Sequence, residues 1–331
     1  MTEYDDQENI FGYRIPSPFC VLHRSEFIPA KKLVQKVLDG LLDEVGLMNY
    51  FSFSELEKKI LEIYSSDHQF DKSIETIVIK ELERKYKNAE VVKKIRQVIW
   101  DRSKSAAQNV HKIIKRVLPE KEKIELLDLG CGQGVLSLYL LEQPEFDEIQ
   151  LKDIADFRYR EVRSEKRLHF AKVNELRLAK RNHQKYDCIL LHTVLHHVRR
   201  PDEIINFCID SLKPGGVILV VETCVDVEKD GLCAKQHKES DSNRHTKGFL
   251  SLDTKNQIAF SVFLDWFFCK IMSDNILAYY QFNSPEGWKT FFKRFDGLNI
   301  LSENCSCKGF DVSHSPSFQT VYVLSIRNNR P

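Results

Sequence analysis

The chain has 331 residues, 42% of them apolar, and 49 Lys and Arg against 48 Asp and Glu leave a net charge of +1. That length buries one large core, or one core with a smaller domain, and near-neutral charge gives no reason to expect a nucleic-acid binder. Nine scattered cysteines without a preceding secretory signal, an acidic start at Met1–Asp6 and the absence of a long apolar run favour a reducing, cytoplasmic setting over export or a membrane span.

The first hundred residues read mainly as helix. Ser54-Glu55-Leu56-Glu57 has the form of a capping box, followed by Ile60, Leu61 and Tyr64 on one face. Asp71 is placed to cap a helix carrying Ile74, Ile77 and Leu82. Val91, Val92, Ile95, Val98 and Ile99 recur at helical spacing, and Ala106, Val110, Ile113, Ile114 and Val117 continue the pattern to Leu118-Pro119. Residues 1–100 are therefore expected to form an accessory helical cap. The last of these helices is expected to pack beside the first strand of a domain spanning 101–331.

The segment from Ile124 to Gly134 reads as a short buried strand, an acidic residue and a glycine-rich turn, with a helix opening at Val135. Glycines at alternate positions let a ligand approach the backbone. A turn that cradles pyrophosphate leaves its helix N-terminus open to an anion. Asp128 puts a negative charge there instead. That suits a ligand with a positive head and no phosphate, such as the ammonium and sulfonium of S-adenosylmethionine.

Leu127-Asp128-Leu129-Gly130-Cys131-Gly132-Gln133-Gly134 resembles the first motif of class I S-adenosylmethionine-dependent methyltransferases with a type 11-like domain, and the resemblance runs on in order for about a hundred residues. A strand ends at Asp153, at the distance of a carboxylate that grips ribose hydroxyls. Phe170-Ala171-Lys172-Val173-Asn174-Glu175 is similar to the segment that reads the adenine edge, with Asn174 where many relatives have Asp. Tyr186 to His192 matches the fourth strand, and Leu195-His196-His197-Val198 the Leu-His-His that often follows it. Leu212-Lys213-Pro214-Gly215-Gly216 leads into a fifth strand ending at Glu222. The resemblance implies a Rossmann-like fold and S-adenosylmethionine as cofactor. It assigns Gly130, Cys131, Gly132 and Gly134 to backbone approach, Asp128 to the methionine ammonium and Asp153 to the ribose. Ile154 falls to the adenine face, Asn174 and Glu175 to the adenine amine, and the His192 backbone to the methionine end.

Beyond Thr223 the chain departs from the minimal fold, with an aromatic lid expected at about 223–295. Glu228 to Lys247 is polar and reads as a mobile loop. Ile258 to Met272 is apolar on all sides, so it must be covered on most of them. Ser284-Pro285-Glu286-Gly287-Trp288 opens a short helix through Phe292, and strands at Leu298 to Ser302 and Gln319 to Ile326 close the sheet. The fold class is α/β: a doubly wound, seven-stranded, mostly parallel sheet with a reversed last strand, plus the N-terminal helical region.

Methyl transfer from a sulfonium depends on orientation and on excluding water. A hydroxyl or amine acceptor must also lose a proton, and His192 and His196 stand at strand ends as candidate bases, ahead of His197 and Glu222. Trp266, Phe267, Tyr279 and Tyr280 would line a pocket for a small-molecule or lipid-like acceptor methylated at oxygen. A tRNA-modifying enzyme is the alternative. It would use the basic stretches Lys80–Lys123 and Arg158–Lys185, which otherwise read as solvated faces. A third reading is a non-catalytic cofactor-binding or interaction protein. Cys305-Ser306-Cys307 lacks a second pair or a His cluster, so no metal site is expected. The oligomeric state is left open.

Overall fold

The computed structural model describes residues 7–44, 52–66, 89–173, 184–227, 246–269, 279–304 and 318–326. They divide into two compact units, one drawn from the residues before 100 and from 224–283, the other from 100–223, 284–304 and 319–326. Among the described residues no helix is long and apolar enough to cross a membrane.

The second unit is built on a seven-stranded sheet. In chain order its strands are β1 (Leu126–Leu129), β2 (Ile149–Asp153), β3 (Leu168–Lys172), β4 (Tyr186–His192), β5 (Leu212–Cys224), β6 (Leu298–Asn304) and β7 (Phe318–Ile326). Their order across the sheet is β3-β2-β1-β4-β5-β7-β6. The first five run parallel, and β6 pairs antiparallel with β7, giving the mixed sheet with one reversed strand that the sequence predicts. β1 and most of β4 are buried throughout, which is why they read as continuous apolar runs rather than alternating ones.

The chain builds outward from β1 through β2 to β3, then crosses to lay β4 on the other side of β1. Ligands bind at such a reversal, outside the carboxyl ends of the strands. Asp128 sits there, opposite Leu151 on β2 and Leu190 on β4. His192 ends β4 opposite Val221, one residue before Glu222.

The helix before β1 is continuous from Ala89 to Val117, joining the two helical patterns read in the sequence. Its Ala106, Ala107, Val110 and Ile114 enter the core with Leu126, Leu151, Leu190 and Leu219 from the strands. Lys115 and Arg116 in its last turn complement the helix dipole. Lys115 also pairs with Glu145, which lies beside His111 as well.

The first unit packs helices Ile28–Glu44, Phe53–Ser66 and Thr254–Phe267 with a small antiparallel ladder, Gln7–Glu8 against Arg14–Ile15, which the sequence reading misses. Helix Thr254–Phe267 starts where Asp253 accepts from the Asn256 amide at 2.8 Å, and it is buried almost all round, as its composition requires. The capping residue of Phe53–Ser66 is Ser52, whose hydroxyl accepts from the Glu55 amide at 3.2 Å, not the Ser54 of the apparent capping box. The helix expected after Asp71 and most of the polar loop from Glu228 lie outside the described residues.

Candidate active site

The glycine turn hangs from the end of β1. The Gly130 and Cys131 amides donate to the Lys152 carbonyl at 2.7 and 3.3 Å, tying the turn to β2. Asp153, the next residue of β2, accepts from the Gly132 amide at 2.8 Å and from the Ile154 amide at 2.7 Å. Burial pushes the Asp153 carboxyl up, against the lowering pull of those backbone amides.

Gly130, Gly132 and Gly134 all have positive φ, at 80°, 51° and 73°. Their missing side chains serve different ends. A Cβ on Gly130 would lie 2.5 Å from Val194 Cγ2, and one on Gly134 would lie 2.7 Å from Val162 Cγ1, so these two glycines make room for the protein's own core. A Cβ on Gly132 would meet nothing within 4 Å. Gly132 is therefore the position where a ligand can come against bare backbone.

Asp128 lies beneath the turn. It is 3% exposed, and its Oδ2 accepts from the Ser137 hydroxyl at 2.6 Å. Burial pushes its carboxyl up to about 7, with the Ser137 hydrogen bond opposing and the charge of Asp153 adding. The sequence places Asp128 beside the turn but gives no sign of Ser137, nine residues on in the following helix. Cys131 keeps its proton, because burial and the two carboxylates all push its thiol up.

This donor set fits S-adenosylmethionine. Asp128 and Asp153 raise the cost of each other's charge, and a cation at the turn would lower it. A phosphate would add to it. Asp153, fixed by backbone amides, offers oxygens of the kind a ribose diol requires. Asn174 and Glu175 lie outside the described residues.

The second half of the site follows β4. Glu222 Oε1 accepts from the Val194 amide at 2.9 Å and the Leu195 amide at 2.6 Å. Its Oε2 lies 2.6 Å from His196 Nδ1, and the pair is buried, at 2% and 0% exposure. A carboxylate only accepts, so it draws the proton to Nδ1 and leaves the lone pair on Nε2. The His197 ring lies 4.1 Å from that of His196, centre to centre. Burial lowers His192 to about 4 despite the nearby charge of Glu222, so that imidazole is neutral and weakly basic near pH 7.

Residues 101–259 match the sequence model of a family described as a methyltransferase domain. The match spans just under half of the chain and is consistent with the expected class I S-adenosylmethionine-dependent methyltransferase domain. The match covers β1 to β5 and the helices between them. It continues into the segment expected as a lid. No curated protein matches the sequence. Similar solved structures include the plantazolicin methyltransferase BpumL, in complex with a monoazolic desmethylPZN analog and SAH, at 13% identity and a TM-score of 0.45 over 82% of this chain and 100% of that one. A SAM-dependent methyltransferase from Leishmania major aligns at 16% identity and a TM-score of 0.42, over 67% of this chain and 72% of that one. An O-methyltransferase family 2 protein from Planctomyces limnophilus, in complex with apigenin, aligns at 16% identity and 0.39, over 61% and 50%.

The aromatic residues expected around the methyl acceptor lie in the first unit. Trp266 and Phe267 are fully buried, and Trp266 packs edge-on against Phe19 at 4.8 Å and against Phe263 at 5.7 Å. That core accounts for the burial of Trp266. Tyr279 is 40% exposed and Tyr280 half-buried, with φ at 52°.

Proposed function

We propose that the protein moves the methyl group of S-adenosylmethionine to an oxygen of a small-molecule or lipid-like acceptor, with His196 as the base. The buried His196–Glu222 pair carries this reading. The cofactor supplies an activated methyl group, and the protein has to hold the acceptor, exclude water and take up the acceptor's proton. Glu222 fixes the ring and tautomer of His196, and the hydroxyl proton passes to Nε2. His192, whose imidazole desolvation lowers to about 4, is assigned to the methionine end instead. The cofactor roles proposed for Asp128, Asp153, Ile154 and the turn follow the motif, as do those of Asn174 and Glu175. Residues before 100 are proposed as an accessory helical region, and the segment from about 223 to 295 as an aromatic lid insertion. Tyr279 and Tyr280, the accessible members of the aromatic set, would touch the acceptor, while Trp266 and Phe267 support the unit from within.

The RNA alternative has less support. In the basic stretch from Arg158, both Arg158 and Arg163 pair with Asp156, and Arg167 pairs with Glu165. Such local pairing suits a solvated face better than a phosphate-binding one. The test is radiolabelled methyl transfer from S-adenosylmethionine into fractionated cell extracts, with Asp128→Ala as control. Label in the organic-soluble fraction supports the proposal, and label in RNA rejects it.

A further inference from the structure

Thr193, between the cofactor turn and His196, has no role in the proposed methyl transfer. It comes directly after the last residue of β4 and has φ at 55°. A β-branched residue in the left-handed region is a genuine outlier, and such strain persists only where the surroundings over-determine it. Here they do. The Thr193 amide donates to the Val221 carbonyl at 2.7 Å, extending the β4–β5 ladder. Its hydroxyl donates back to the His192 carbonyl at 2.6 Å.

The left-handed step redirects the chain at this point. The next two amides, of Val194 and Leu195, both reach Glu222 Oε1, and the residue after them places its Nδ1 on Oε2. The Val194 side chain occupies the space that a side chain on Gly130 would take. An ordinary negative φ at Thr193 would swing these amides off Glu222 and withdraw Val194 from the glycine turn.

We infer that Thr193 is a positioning residue. Its left-handed backbone, held by its own hydroxyl, sets His196 against Glu222 and Val194 against the cofactor turn. The consequence for turnover rests on the methyl-transfer reading, but the consequence for the loop does not.

Hydrogen exchange of the segment 193–198 in the full chain tests this, together with S-adenosylhomocysteine affinity and turnover. Thr193→Gly keeps the left-handed region accessible but removes what holds the residue there. It should speed exchange in the segment about tenfold or more and lower kcat about tenfold or more, with cofactor affinity within about threefold of wild type. Thr193→Asn, which tolerates the left-handed region and offers a polar side chain, should stay within about threefold of wild type in exchange and kcat. A glycine variant that melts at a different temperature but exchanges and turns over as wild type does would assign Thr193 a structural role only and overturn the inference. If the glycine variant does not fold, the asparagine variant decides: wild-type exchange supports the inference and tenfold faster exchange rejects it. A wild-type protein that binds S-adenosylhomocysteine and transfers no methyl group, while Thr193→Gly still loosens the loop, leaves the inference standing and rejects the methyl-transfer reading.

Discussion

Asp128→Asn should stabilise the free protein while weakening its grip on the cofactor. Asp128 is buried, and its carboxyl rises from an ordinary value of 3.8 to about 7. A group whose folded pKa is raised binds more protons folded than unfolded between those values. Stability therefore falls as pH rises from about 4 to about 7 and levels off above. Each tenfold change in proton affinity corresponds to about 1.4 kcal/mol, so ionising Asp128 in the empty site costs on the order of 2–4 kcal/mol. Asparagine has nearly the same shape, and its carbonyl can still accept from the Ser137 hydroxyl. At pH 8 and without cofactor the variant should be more stable than wild type by about 2–4 kcal/mol, and at pH 5 the difference should shrink to about 1–2 kcal/mol.

Urea unfolding of both proteins from pH 5 to pH 8.5 provides the measurement, because the difference between the two curves isolates residue 128. Calorimetric titration with S-adenosylhomocysteine, whose ammonium is the cation at issue, supplies the other half. Wild-type affinity should rise about tenfold per pH unit up to about pH 7 and then level off. The variant's affinity should be weak and flat. A difference curve that does not vary with pH, or a variant that binds as wild type does at pH 8, would refute the reasoning.

The glycines should separate in the same assays. Gly132→Ala needs only a left-handed alanine, costing about 1–2 kcal/mol, and its main effect should be on cofactor affinity. Gly130→Ala adds a clash with Val194, so by urea unfolding it should lose about 1–3 kcal/mol more. Glu222→Gln can keep the Val194 and Leu195 amides on its carbonyl, but its amide would donate to His196 Nδ1 and move the imidazole proton to Nε2. Turnover should then fall about 10²-fold or more with little change in cofactor affinity, and an unchanged kcat would exclude His196 as the base. Glu145, lowered to about 2 by the Lys115 hydrogen bond despite some burial, with the backbone and His111 assisting, contributes stability that is full above pH 4.5 and lost as pH falls towards 2. Over that range wild type should lose about 1–2 kcal/mol more than Glu145→Gln in acid unfolding.

What the sequence reveals and what it hides divide along separation in the chain. The turn after β1 is legible because strand, acid, glycines and helix are contiguous, and most of β4 and the Val217–Val221 stretch of β5 because buried strands read as unbroken apolar runs. The purpose of each glycine is not legible. Gly130 is required by Val194, 64 positions on, so conformational freedom alone cannot tell it from Gly132, which meets nothing. The Ile258–Met272 run could be recognised as buried from its composition. Its covering residues, Phe19 and Phe53 among them, come from the far end of the chain, so core could not be distinguished from lid.

The same limit applies to the bases. His192 and His196 are equivalent as letters at a strand end, and only folding separates them. Desolvation lowers one imidazole to about 4, and the other, itself buried, is placed on a carboxylate 26 residues away. Glu222 also takes the two backbone amides that precede His196, so it shapes the loop and selects the imidazole tautomer at once. A single substitution there therefore tests both functions, and their separation depends on a variant that keeps the carbonyl and loses the charge. Glu222→Gln keeps the loop's acceptor. What it changes is the proton on His196.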